Sequence, residues 1–156
     1  MKSWKVDPYL LFVLVVLPFA GCANPADKTE DAKVAEAVDA LKTVAVLGGG
    51  SFGTALAQLA AREGQKVRLW MRDSKQAEAI NETRHNPRYL SDFELHENIA
   101  GTTDMEQALV GADWVMVAVP SQAVRSCLTE AKKFVGAVPL VLAAKGIENE
   151  TLMTMD

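Results

Sequence analysis

From Thr43 onward the chain alternates between two kinds of segment. Short runs that are almost wholly apolar are followed by stretches in which apolar residues return every three or four positions. The apolar runs predict strands at about 43–48, 67–71, 99–102, 114–119 and 140–144. The periodic stretches predict helices at about 52–63, 74–84, 105–110 and 121–134. Gly64 is placed to end the first helix, Asp104 to cap the third, and Pro120 to stop the fourth strand. Strands that are apolar along their whole length need cover on both faces, which helices between parallel strands provide. With right-handed crossovers this predicts an α/β fold, a doubly wound parallel sheet of Rossmann-like form.

Residues 1–42 follow another pattern. Lys2 and Lys5 precede an apolar run from Tyr9 to Gly21 broken only by Pro18, too short to span a bilayer but the right length for the apolar part of a secretory signal. Phe19-Ala20-Gly21-Cys22 resembles the lipobox of bacterial lipoproteins, with Phe19 where Leu is usual and Cys22 as the lipidated residue. Residues 23–42 are polar, Ala-rich and lean acidic, and read as a tether. The expected organisation is a signal-like segment at 1–22, a tether at 23–42 and an α/β domain at 43–156, with a possible membrane attachment through 9–22.

Composition narrows the chemistry. With 49% hydrophobic residues the chain can bury a core, and a net charge of -4 argues against nucleic acid as a partner. Cys22 and Cys127 have no metal-site spacing, His85 and His96 are isolated and read as surface residues, and no metal is expected. Cys127 reads as a small buried apolar residue, and Trp70 and Trp114 as core.

The strongest signal lies between the first strand and the first helix. Gly48, Gly50 and Gly53 have the G-x-G-x-x-G spacing, and the strand before and helix after make it a dinucleotide-binding fingerprint. Gly48 allows the tight turn, Gly50 lets a pyrophosphate reach the backbone, and Gly53 lets helix and strand pack closely. The N–H groups of the helix's first turn face the phosphates. Ser51 offers its hydroxyl and N–H to a phosphate oxygen and can cap the helix at the same time. Phe52 is either a cofactor contact or core. Arg72 falls 19 residues after Gly53, where an NAD site usually has an acidic residue. Its guanidinium suits a 2′-phosphate or stacking on adenine, which leans toward NADPH or tolerance of both cofactors, while Asp73 keeps NADH open and an ordinary surface ion pair is the lesser alternative. Ser121 reads first as a helix cap. Lys145 follows the fifth strand and points toward the same crevice, either as an anion contact or as a solvated lysine.

VAVLGGGSFGTALA, VRLWMRD, NPRYL, VAVPS and AAKGIE, in this order, resemble the amino-terminal domain of bacterial NAD(P)-dependent glycerol-3-phosphate dehydrogenase from about Thr43 to Asp156. The resemblance implies reversible reduction of dihydroxyacetone phosphate to sn-glycerol 3-phosphate by hydride transfer, supplying phospholipid precursors. It implies that Ser51 and Phe52 contact NAD(P)H, that Arg72 lies at its adenosine end, and that Lys145 contacts both cofactor and substrate. The family's catalytic lysine belongs to a helical second domain that this sequence does not contain, so the chain is expected to bind cofactor without efficient turnover and to expose apolar surface where that domain docks. The family is cytoplasmic, which conflicts with the lipoprotein-like start. Two other readings stand beside it: a membrane-tethered, non-catalytic nucleotide-binding module, and a fragment of a ketopantoate-reductase-like dehydrogenase.

Overall fold

A computed structural model describes residues 42–149 and 151–154. The signal-like segment and the tether lie outside them. The elements are β1 (Thr43–Leu47), α1 (Ser51–Arg62), β2 (Lys66–Trp70), α2 (Ser74–Thr83), β3 (Ile99–Thr102), α3 (Met105–Leu109), β4 (Trp114–Val117), α4 (Ser121–Ala131) and β5 (Leu140–Leu142). All strand pairings are parallel, in the order β3-β2-β1-β4-β5. The order reverses between β1 and β4, and in such sheets ligands lie beyond the carboxyl ends of the strands at that switch.

β1 is the centre of the molecule, and Val44, Ala45, Val46 and Leu47 are each 0% exposed. Alternate side chains leave opposite faces of a strand. Val44 and Val46 pack with Ala57, Ala61, Val67, Leu69 and Ile80 beneath α1 and α2. Ala45 and Leu47 pack with Met105, Leu109, Val115, Val117 and Val124 beneath α3 and α4. The alanines of α1 keep that helix low on the sheet. Trp70 joins the core and donates its indole N–H to Thr103 O at 3.1 Å, whereas Trp114 is half-buried at the core's margin.

Helix ends follow local chemistry. Asp73 and Asp104 each accept from two backbone N–H groups of α2 and α3. Gly64, at a φ of +85°, follows the end of α1. Strand ladders stop earlier than the apolar runs. β4 ends at Val117 because Ala118 N donates to Leu47 O as the last rung and the chain then turns over the strand ends. Ala143 N likewise closes the β5 ladder on Val117 O. α4 ends at Ala131, short of the predicted 134, where Lys132 to Val135 form turns back onto the helix. Among the described residues no helix is long and apolar enough to cross a membrane.

Candidate functional site

A cleft of about 780 Å3 opens over the carboxyl ends of β1, β2, β4 and β5. The glycine turn forms its floor, and each glycine there has its own reason. Gly48 has a φ of +123°, and a Cβ would stand 2.8 Å from Ala118 O. A Cβ on Gly53 would overlap the carbonyl oxygen of Gly48. A Cβ on Gly49 would stand 2.9 Å from the Cβ of Met71. Gly50 differs, because a Cβ there would meet nothing within 4 Å and would project into open space. That opening lies above the start of a 12-residue helix, where free N–H groups suit an anion.

The predicted contact residues all line the cleft: Ser51, Phe52, Arg72 and Lys145 together with Gly48 and Gly50, while Gly53 is buried behind the turn. Gly50, not Ser51, is the N-cap of α1, and no side chain caps it. Ser51 is the first helical residue and exposed, so its hydroxyl is not spent on capping. Likewise Pro120 is the N-cap of α4 and Ser121 makes no cap bond. Phe52 is 57% exposed, which removes the core reading. Arg72 is exposed and has no ion pair among the described residues, which removes the surface-pair reading. Asp73 is occupied instead: Oδ1 caps α2 and Oδ2 lies 3.7 Å from Arg88. Arg72 follows β2 and Lys145 follows β5, three strand spacings apart, so they stand about 14 Å from each other across the sheet. His85 and His96 are half-buried, not fully exposed, and each bonds locally, His85 Nδ1 to Thr83 O and His96 Nδ1 to Asn98 N. Neither lines the cleft.

Three groups near the cleft have shifted proton affinities, Cys127, Glu148 and its partner Arg125, whose guanidinium is pushed up by the Glu148 carboxylate. Burial, with Glu130 nearby, pushes the Cys127 thiol up and keeps it protonated. Glu148, just beyond Lys145, is pulled down to about 2 by hydrogen bonds from Arg125 and Thr151. The Arg125 guanidinium meets it with two 2.7 Å bonds, tying the segment after Lys145 to α4.

Sequence reasoning missed the roles of Gln76, Asn86, Arg88 and Tyr89. Arg88 and Tyr89 line the cleft, with the guanidinium 5.7 Å from the centre of the Tyr89 ring. Asn86 is 0% exposed and its Oδ1 accepts from the N–H groups of Arg88 and Tyr89, which shapes the loop. The available signal was Asn86-Pro87 after a helix, a turn-forming pair whose Asn bonds the backbone two or three residues on.

The match to a family model spans residues 43–156 and describes the amino terminus of NAD-dependent glycerol-3-phosphate dehydrogenase. The chain belongs to that family. Glycerol-3-phosphate dehydrogenase (NAD(P)+) of Acinetobacter baumannii is 45% identical over 112 residues, 72% of this chain and 31% of the relative. The Myxococcus xanthus enzyme of the same name is 46% identical over 111 residues, 70% of this chain and 33% of the relative. The crystal structure of glycerol-3-phosphate dehydrogenase from Coxiella burnetii superposes with a TM-score of 0.65 at 34% identity, covering 69% of this chain and 34% of that one. The chain thus spans about a third of the length of these family members. It corresponds to their amino-terminal NAD(P)-binding domain, and membership in this family sets aside the ketopantoate-reductase reading.

Proposed function

We propose that the cleft holds NAD(P)H with its diphosphate over Gly50, and that the chain serves the reduction of dihydroxyacetone phosphate to sn-glycerol 3-phosphate. The match of residues 43–156 to the family's amino terminus supports this reading. The observation that carries the reading is the open space at Gly50, framed by glycines that are filled in by backbone or Met71. The N–H groups of Gly50 and Ser51, with the positive end of α1, hold the diphosphate. Ser51 adds its hydroxyl, and Phe52 covers the ligand from the solvent side. Arg72 takes the adenosine end, and its unpaired guanidinium favours a 2′-phosphate and therefore NADPH. Lys145 lies at the far end, where its ammonium holds both the cofactor and the substrate's phosphate. Bound NAD(P)H supplies the hydride to the carbonyl carbon. The role read here for the described residues is cofactor binding, and no proton transfer at the carbonyl oxygen is assigned to them. Such a role belongs in the cytoplasm, where NAD(P)H is held. A lipid found on Cys22 by mass spectrometry would favour the membrane-tethered module.

Gly50→Ala tests this reading. Gly50 has a φ of -76°, which alanine adopts without strain, so the melting temperature is expected to stay within about 2 °C. The new methyl group occupies the phosphate cradle, and the Kd for NADPH is expected to rise at least tenfold. An unaltered Kd, or a wild-type chain that binds neither NADPH nor NADH, would refute the assignment.

A further inference from the structure

The Gly49–Gly50 peptide joins two glycines, so no Cβ on either side decides which way it faces. A side-chain clamp decides it. Gln76 Nε2 donates to Gly49 O at 2.5 Å, and Asn86 Nδ2 donates to the same oxygen at 3.2 Å. The clamp is itself braced. Gln76 Nε2 also donates to Asn86 Oδ1 at 3.0 Å, and Asn86 Nδ2 to Thr54 Oγ1 at 2.8 Å. Gln76 is 5% exposed, and Asn86 and Thr54 are 0% exposed, in the only buried polar group among the described residues. Burying two amides is costly unless their bonds are satisfied, and here both nitrogens bond twice.

The peptide bonds are trans, so the Gly49 carbonyl and the Gly50 N–H point in opposite directions. With the carbonyl pulled toward α2 and the buried amides, the Gly50 N–H is turned away from them. It has no partner among the described residues, and Gly50 lines the cleft. We infer that Gln76 and Asn86 are positioning residues that lock the Gly49–Gly50 peptide with its N–H presented to the anionic group of the ligand. The inference rests on the diphosphate reading above and adds two residues that touch no ligand atom in it. The loop carrying Arg88 and Tyr89 is held through Asn86 Oδ1, so floor and loop of the cleft share one brace.

The test uses the full chain and two variants, Gln76→Met and Asn86→Ala. Gln76→Met keeps the volume and leaves the Asn86 loop bonds in place, so it remains informative if Asn86→Ala fails to fold. The first readout is the Gly50 amide resonance in the 15N–1H spectrum without ligand. One sharp peak is expected in the wild type, and a displaced or exchange-broadened one in each folded variant. The second is affinity for ADP-ribose, which has the diphosphate, against 2′-AMP, which lacks it. Gln76→Met is expected to weaken ADP-ribose about fivefold and 2′-AMP less than twofold. An unmoved Gly50 peak overturns the clamp whatever the ligands do, and so does equal weakening of both ligands. If the wild type binds no dinucleotide, the diphosphate reading fails, and the amide peak alone decides the clamp.

Discussion

The two ends of the cleft are built to different standards. At the glycine turn, β1 is buried from Val44 to Leu47, and the backbone beyond it is fixed by neighbours within van der Waals distance and by a buried amide pair. At the Lys145 end, β5 is three residues long, and Leu140 within it is 41% exposed. Ile147, Leu152 and Met153 beyond it are more exposed still, at 55%, 76% and 58%. That end is held at the surface, by the Arg125–Glu148 pair, by Gln122, which donates to Ile147 O and accepts from Asn149 N, and by a bridge between Ile147 and Thr154. Apolar sequence alone does not distinguish TVAVL from LVL. Rigidity comes from how many layers close over a strand, and at β5 one edge stays open. The glycine-turn end carries its own structural support, while the Lys145 end takes less support from the described residues.

The contrast is most sharply broken at Gly53. Gly53→Ala forces a methyl group into the Gly48 carbonyl, a clash with backbone that no side-chain rotation relieves. We expect a loss of about 3 kcal/mol in urea unfolding, against almost none for Gly50→Ala. A loss below about 1 kcal/mol would mean the turn is as yielding as the β5 end. A smaller effect is expected at Arg72. Arg72→Ala should weaken NADPH about tenfold, or about 1.4 kcal/mol, and NADH less than threefold. Equal weakening of the two would remove the 2′-phosphate assignment.

The smallest effect concerns the Lys145 end and pH. Glu148 titrates at about 2, below its ordinary value near 4.3, because Arg125 and Thr151 bond its charged form. A carboxylate with a depressed folded pKa contributes fully above its unfolded pKa and loses that contribution as pH falls through the folded one. Proteolysis of 147–154 should therefore be constant from pH 7 to 5 and increase only as the pH falls from about 4 toward 2. Arg125→Ala should return the carboxyl titration of Glu148, followed by NMR, toward 4.3, and an unchanged midpoint would show the pair to be absent in solution.

Much of the fold was legible because strand and helix periods are local properties. All nine elements fall within about three residues of their predicted limits, and the glycine fingerprint lies at the switch point of the sheet. The misreadings have physical causes. Ser121 has the residue type of a cap, but the strand-to-helix turn is so tight that the helix already begins at the serine. The cap that Asp73 Oδ1 provides for α2 was not read from the sequence either. The support of the site was invisible because Thr54, Gln76 and Asn86 lie far apart in sequence and meet only after α1 and α2 have packed on one face. Polar residues brought together in a core leave no periodic trace.

Asn86 is followed by Pro87. Asparagines age when the next backbone nitrogen attacks the side-chain amide, closing a succinimide that opens to aspartate or isoaspartate. Proline's ring nitrogen carries no hydrogen and does not support that closure. The side chain on which both the turn and the loop depend is thereby shielded from spontaneous deamidation, and the brace should outlast the ordinary chemical lifetime of an asparagine.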